Sequence, residues 1–196
     1  DKMKASGFQG KIEKLVWNAT KTKVLIYTNS KKVWRANTKG DYWYFDLATG
    51  KGYQLGKGLD ASSLMFAKFS NDNMNVAYVS KHNIYLENLQ SHAIKPLTKD
   101  GTAKIINGTF DWVYEEELAC RDGFRWSPDG SSIAFWSVDA TDTKYHLMIN
   151  NTDSLYSYVV PVEYPKAGEK PSSVKIGVID IASEKTNWLA IPGEAD

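Results

Sequence analysis

The 196-residue chain carries 24 Lys/Arg against 23 Asp/Glu, a formal net charge of +1, so no global field recruits nucleic acid or an anionic membrane. Hydrophobic residues make up 42% and aromatics 13%, which argues against disorder and favours strands, where aromatic and β-branched side chains pack well. The single cysteine, Cys120, excludes an internal disulfide or a Cys-based zinc site, and His82, His92 and His146 lack any metal-ligand spacing, so neither metal nor cofactor is expected.

The charge is uneven along the chain. Residues 1–58 hold 12 Lys/Arg against 4 Asp/Glu, and the remainder 12 against 19. The lysines sit in turns such as "NATKTK" and "TNSKK", which is how solvated strand ends look, so no nucleic-acid partner is expected. No apolar run approaches the roughly 18 residues of a membrane span, and the opening "DKMKASGF" has no signal-peptide pattern and reads like the middle of a longer chain.

In chain order, the first pattern is "WNATKTKVLIY" from Trp17: an aromatic, a six-residue polar turn, then an apolar run opening at Val24. It is followed by "YWYFDLATGK" (Tyr42–Lys51), an alternating strand that ends in Asp and a small polar turn. The same pair recurs as "FSNDNMNVAYV" from Phe69 with its run at Val76, closed by the shorter "NIYLENLQS" (Asn83–Ser91). It recurs again as "WSPDGSSIAFW" from Trp126 with its run at Ile133, closed by "IGVIDIASEK" (Ile176–Lys185). Each unit reads as a β-hairpin plus a further strand, with Pro128-Asp129-Gly130 the clearest turn. Short strands repeating at about 50 residues are the pattern of β-propeller blades, and the shared seven-residue offset favours blades over a β-sandwich. The expected fold is all-β: a propeller fragment of about three four-stranded antiparallel blades, residues 1–196 being part of one domain. Propellers close with about 4–8 blades, so an arc of three implies a segment of a longer protein, or other copies covering its open faces.

Two stretches interrupt the repeat, and insertions in repeat proteins often carry function. The second, "MINNTDSLYSYVVPVEYPKAGEKPSS", holds Pro161, Pro165 and Pro171, which oppose regular pairing and suggest an extended excursion. The first is "NGTFDWVYEEELACRDGF", with three consecutive glutamates. Good helix formers at Glu115–Ala119, a possible cap at Asp111 and a stop at Gly123 predict a short helix. Adjacent helical side chains diverge by about 100°, so the three carboxylates do not serve one ligand equally, although two can converge at a terminal turn. Two carboxylates near one ammonium give roughly 4 kcal/mol of gross attraction each at an effective dielectric of 20, before desolvation. Glycoside hydrolysis needs carboxylates on opposite sides of a sugar, which neighbours rarely provide. Calcium needs a loop of alternating oxygen ligands, which is absent here. A solvated acidic turn is the plain alternative.

"KVWR" (Lys32–Arg35), "DWVYEEE" (Asp111–Glu117), "RWSPDGSSIAF" (Arg125–Phe135) and "VEYPKAGEKPSSVK" (Val162–Lys175), in this order and spacing, closely resemble the N-terminal β-propeller of the dipeptidyl peptidase IV family of prolyl oligopeptidase-type serine peptidases. The resemblance runs from about Leu25 to the C-terminus; the glutamate motif is specific to that family, while "WSPDG" is shared by many propellers. It implies an exopeptidase releasing Xaa-Pro dipeptides from peptide N-termini, or in close relatives prolyl tripeptides. By motif match, Glu116 and Glu117 would bind the substrate α-ammonium and Arg35 a substrate carbonyl. Asp111, Trp112 and Tyr114 would orient the helix, Glu115 would be solvated or structural, and the "YPKAG" stretch (Tyr164–Gly168) architectural. The family's nucleophile lies in a G-x-S-x-G elbow of a C-terminal α/β-hydrolase domain. No such pattern occurs in this chain, so no catalytic residue is expected here and the hydrolase domain would be a partner. The resemblance also implies an extracytoplasmic setting and a possible homodimer. A stand-alone propeller that grips a basic peptide is the reading of a different class. Asn18, Asn107 and Asn150 begin glycosylation sequons by pattern.

Overall fold

The computed structural model describes residues 2–193. A one-turn helix α1 (Lys2–Ala5) precedes β1 (Lys14–Trp17), β2 (Lys23–Val33), β3 (Ala36–Asp46) and β4 (Gly52–Gln54). A second antiparallel unit follows as β5 (Leu64–Phe69), β6 (Asn75–Ser80), β7 (Asn83–Asn88) and β8 (Ile94–Pro96). Then come β9 (Ile105–Asn107), α2 (Trp112–Glu116), and a third unit begun by β10 (Phe124–Trp126) and β11 (Ser132–Asp139). A separate hairpin, β12 (Tyr145–Asn150) and β13 (Tyr158–Glu163), leaves the body before β14 (Ser173–Asp180) and β15 (Thr186–Trp188) complete that unit.

The repeat is visible in the register. Trp17 pairs with Val24, Phe69 with Val76 and Trp126 with Ile133, so each aromatic faces the first residue of its apolar run. The turns between them are built alike. The N–H of Asn18, Ser70 and Ser127 donates to the carbonyl of Lys23, Asn75 and Ser132 respectively. The side-chain oxygen of each of the three accepts a backbone N–H at the far side of its own turn. A second set of turns closes the third strand of each unit, where Asp46, Asn88 and Asp180 accept backbone N–H groups two or three residues on. Short polar side chains that replace the missing ladder partners explain why Asn, Asp and Ser occupy these positions.

In the first two units buried apolar residues occupy both faces of the strands, as coverage on two sides requires, whereas in the third β11 buries Ile133, Phe135 and Val138 and leaves Ala134 and Trp136 exposed. Val24, Ile26 and Phe45 pack under Phe8 of the N-terminal segment. Leu25, Tyr27, Tyr42 and Tyr44 meet Leu64, Phe69, Val76 and Tyr78 of the second unit. The other face of that unit, Ala77, Val79, Ile84 and Leu86, meets Phe124, Ile133, Phe135 and Ile179 of the third. Glu87 is buried in this stack because its Oε2 accepts the Gly56 N–H and the Tyr78 hydroxyl, and burial raises its pKa.

The expectation of separate four-stranded units needs one correction: β3 pairs with β5 at Lys39↔Met65 and Gly40↔Leu64, which fuses the first two units into one eight-stranded sheet. The cause is the length of the β2–β3 hairpin, eleven residues per strand against six for β6 and β7. Gly40 is required there, since a Cβ would lie 2.5 Å from the Tyr27 ring. A second correction concerns Pro161, which lies inside β13 opposite Leu147. Both strands of a two-stranded ribbon are edges, where a residue without an N–H is tolerated.

Candidate functional site

The far end of the β2–β3 hairpin carries Trp34 and Arg35. Its pairing is irregular beyond Thr28, and Trp34 turns the chain at φ 50°. The base is fixed by Asp41, whose Oδ2 accepts the Asn29 side-chain amide at 2.7 Å and whose Oδ1 accepts the Ser62 N–H at 2.6 Å. Arg35 is therefore held out beyond the base that Asp41 fixes.

Asp111 starts the glutamate helix as its N-cap, accepting the Tyr114 N–H at 3.1 Å, while its Oδ2 accepts the Ser172 hydroxyl at 2.6 Å. This second bond ties the helix to the returning end of the excursion, 61 residues on. Trp112 packs on Tyr164 of the "YPKAG" stretch, with ring centroids 4.8 Å apart, and Tyr114 stacks on Phe110 at 5.8 Å. The three supporting residues thus all contact the scaffold from the helix's first turn.

The helix is shorter than the residue types suggest. It ends at Glu116 with Glu117 as C-cap, and Gly123 is not its stop. Ala119 reverses the chain at φ 56°, and the Cys120 N–H donates to the Tyr114 carbonyl at 2.9 Å. Gly123 instead pairs with the backbone of Gly108 and Trp136, so close that a Cβ would lie 2.9 Å from the Gly108 carbonyl carbon.

The three glutamates have different surroundings. Glu115 is buried and paired with Arg121, Nε to Oε1 at 3.3 Å. Burial raises its pKa, the Arg121 guanidinium opposes that, and neighbouring Glu116 adds to it. Of the two expectations for Glu115, solvated or structural, the surroundings are those of a structural group. Glu116 sits with its side chain only 4% exposed, and its Oε2 accepts Arg35 Nε at 2.6 Å. Its other oxygen, Oε1, is buried without any hydrogen-bond partner. Glu117 is exposed and makes no ion pair among the described residues. The structure therefore brings Arg35 and Glu116 together across 81 residues of sequence, with Glu117 beside them on the C-cap.

A buried carboxylate oxygen without a donor costs about 1–3 kcal/mol or more. Buried polar atoms in folded proteins are nearly always paired, so this oxygen has room in its bonding for a donor from a ligand or solvent. The donor set that fits is cationic and multi-pronged, because one side is already taken by a guanidinium and a second carboxylate stands adjacent. No group of His, Cys, Asp and Glu among the described residues has the arrangement of a metal centre. A cavity of about 370 Å³, lined by Trp112, His146, Met148, Val162, Tyr164 and Lys166, flanks the helix. A larger one of about 520 Å³ lies away from these residues, near Tyr44, Tyr53 and His92.

Arg121 and Ser172 are the two contributors that local pattern does not reveal. Arg121 lies outside the helix and returns only through the reversal at Ala119, while Ser172 reaches Asp111 from the far end of an insertion. Of the three sequons, Asn18 and Asn107 are buried and Asn150, at the end of β12, is half-buried; the side-chain amide of each is hydrogen-bonded.

An antiparallel β scaffold thus presents an acidic helix end beside an arginine. The family profile described as "Dipeptidyl peptidase IV (DPP IV) N-terminal region" matches residues 18–196, and the chain belongs to that family. It is 32% identical to the probable dipeptidyl-aminopeptidase B of Arthroderma otae over 184 residues, which is 87% of this chain and 20% of that protein. It is 31% identical to dipeptidyl-aminopeptidase B of Aspergillus niger, covering 88% of this chain and 20% of the relative. The crystal structure of Porphyromonas gingivalis dipeptidyl peptidase 4 superposes with a TM-score of 0.86 at 28% identity, over 95% of this chain and 26% of that one. The chain thus spans about a fifth of the length of the curated relatives it matches.

Proposed function

We propose that this chain is the substrate-recognition portion of a serine exopeptidase that releases Xaa-Pro dipeptides from peptide N-termini. The three antiparallel units are blades of a β-propeller, and the Trp136-bearing face of the third is where a further blade stacks. Glu116 and Glu117 bind the substrate α-ammonium, with Arg35 shared between Glu116 and a substrate carbonyl. The observation that carries this reading is the orphaned, buried Oε1 of Glu116 beside an exposed Glu117 and a guanidinium already in place. An ammonium brings three donors to a spot that offers acceptors and excludes water, so a blocked or absent amine leaves charge and hydrogen bonds uncompensated. Membership of the family and the names of the relatives support the peptidase class. The nucleophile comes from a hydrolase domain outside these residues, and this segment alone hydrolyses nothing.

The test is turnover of a Gly-Pro chromogenic amide by the full-length gene product, beside its N-acetylated twin. Cleavage of the free amine alone is expected, with Glu116→Ala or Glu117→Ala lowering kcat/KM by roughly 100-fold or more. Full activity in both variants, or equal cleavage of the acetylated amide, overturns the ammonium assignment. Release of a tripeptide instead identifies the tripeptidyl variant, and cleavage of neither amide favours the binding module. The homodimer and the extracytoplasmic setting belong to the same proposal; sedimentation of the full-length protein and protease accessibility in intact cells test them.

A further inference from the structure

Two buried carboxylates on consecutive residues repel and do not both stay ionised without counter-charge. Here each has its own cation. Glu116 receives Arg35 from a distant hairpin, an arginine whose side chain is 82% exposed. Glu115 receives Arg121, which follows it by six residues and is folded back onto it by the left-handed turn at Ala119 and the Cys120 N–H to Tyr114 carbonyl bond. The two pairs are unequal. Arg35 is reachable by a ligand, whereas Arg121 is committed to a glutamate that is itself 3% exposed.

We infer that Arg121 is a positioning residue for the ammonium site: its pairing with Glu115 cancels the inner charge of the glutamate triplet and keeps the guanidinium away from Glu116. The inference rests on the ammonium reading above and adds a charge balance to it. With Glu115 neutralised in place, an incoming ammonium meets a carboxylate whose second oxygen has no internal suitor. If the Glu115 charge is removed, Arg121 loses its ion-pair partner while the next residue, Glu116, holds a buried oxygen without a donor. A guanidinium is a rigid multi-donor that binds a carboxylate on two prongs, so it occupies the position meant for substrate. The consequence is competition for binding, with the chemical step untouched.

The experiment is a double-mutant cycle in the full-length enzyme, read as KM and kcat on the Gly-Pro amide. Glu115→Gln keeps volume and hydrogen-bonding shape, and it is expected to raise KM about tenfold with kcat unchanged. Adding Arg121→Gln removes the competing cation and is expected to bring KM back to within about twofold of the parent. Arg121→Lys alone keeps the charge balance and is expected to stay within about threefold. An unchanged KM in Glu115→Gln, or a double variant as impaired as the single or worse, overturns the inference, because a merely structural pair gives additive or neutral effects. If Glu115→Gln fails to fold, Arg121→Lys decides: a KM raised beyond tenfold in a folded enzyme makes geometry, and not charge, the role of Arg121. Glu116→Ala is run alongside. Should it leave the free-amine preference intact, the ammonium reading fails first and the positioning role falls with it.

Discussion

The body of the molecule and the β12–β13 arm are made from the same kind of residue and treat it in opposite ways. In β6, every residue from Val76 to Ser80 is buried, and in the arm Leu147, Met148 and Ile149 are all exposed. Leu155 and Tyr156, at the turn of the arm, are the most exposed large apolar side chains, at 93% and 80%. The first two units have a neighbour on both faces, so a period-2 apolar pattern is satisfied twice over there, and the third has one on the face that carries Phe135. The arm is a two-stranded ribbon without such neighbours, and a ribbon alone has marginal stability in water. It is held by its base: Val162 is buried, Tyr164 packs on Trp112, and the exposed ion pairs Lys144–Glu169 and Lys170–Asp142 clasp the strands where they leave and rejoin the body. Apolar composition therefore says nothing about burial until the stacking partner is known.

The largest effect that tests this contrast comes from equal truncations in the two regions. Phe135 lies 2% exposed between the second and third units, and Phe135→Ala is expected to destabilise by about 3–5 kcal/mol through lost transfer energy and a cavity. Leu155→Ala in the arm is expected to change stability by no more than about 0.5 kcal/mol. Chemical denaturation of the two variants against the parent measures both. A loss above about 2 kcal/mol for Leu155→Ala would show that the arm is part of the cooperative core.

A smaller effect probes the joint between the regions. Ser172 is buried on the returning side of the excursion, and its hydroxyl is the donor to the outer oxygen of the Asp111 cap. Ser172→Ala leaves that carboxylate oxygen buried and unpaired, at an expected cost of about 1–3 kcal/mol. If the arm and the glutamate helix are coupled as this bond implies, hydrogen exchange of the Tyr114 and Glu115 amides speeds up in the same variant. Unchanged exchange there, with lower global stability, would make the bond a fastener of the excursion alone.

These regions also differ in what their sequences disclose. The three aromatic anchors with their seven-residue offset show through because each unit repeats the same local chemistry, a polar side chain closing a hairpin turn at Asn18, Ser70 and Ser127. Asp111 is legible as a cap for the same reason: capping is local. What stays hidden is set by distance or by backbone conformation. The fusion of the first two sheets follows from how far β2 and β3 extend before turning at Trp34, and apolar pattern does not fix that length. The helix stops at Glu116 although Leu118 and Ala119 are good helix formers, because the chain turns left-handed at Ala119 to bring Arg121 back to Glu115. A motif match pairs Glu116 with Glu117. Their different burial, and the lone unsatisfied oxygen, required the packed structure.

The smallest effect is a pH signature that separates a charge buried in the body from charges at the base of the arm. Lys68, on β5, donates to Asp122 at 2.5 Å and lies 3.4 Å over the Phe124 ring, with only 23% of its side chain exposed. Burial pulls its pKa down to about 8 from 10.5, and Asp122 offsets only part of that pull. The unfolded chain keeps this lysine protonated up to about 10.5 while the folded chain releases the proton near 8, so in this window the unfolded state binds more protons. Stability contributed by this group therefore rises as pH increases from 8 towards 10.5, and Lys68→Met removes that rise, a change on the order of 1 kcal/mol once partial exposure is discounted. The tyrosines act in the opposite sense at the upper end: burial raises Tyr27 and Tyr44 to about 12, so they keep their protons in the fold and stability falls as pH climbs from 10 towards that value. The two opposed slopes are separable, because only the first is altered in Lys68→Met. Lys144→Met, at the base of the arm, breaks an ion pair whose partners are 72% and 41% exposed and is expected to leave the pH profile between 8 and 10 unchanged. Thermal melts of the parent and the two variants at half-unit pH intervals decide the matter. A profile for Lys68→Met that parallels the parent would mean that the Lys68 ammonium is solvated well enough to titrate as it does in the unfolded chain.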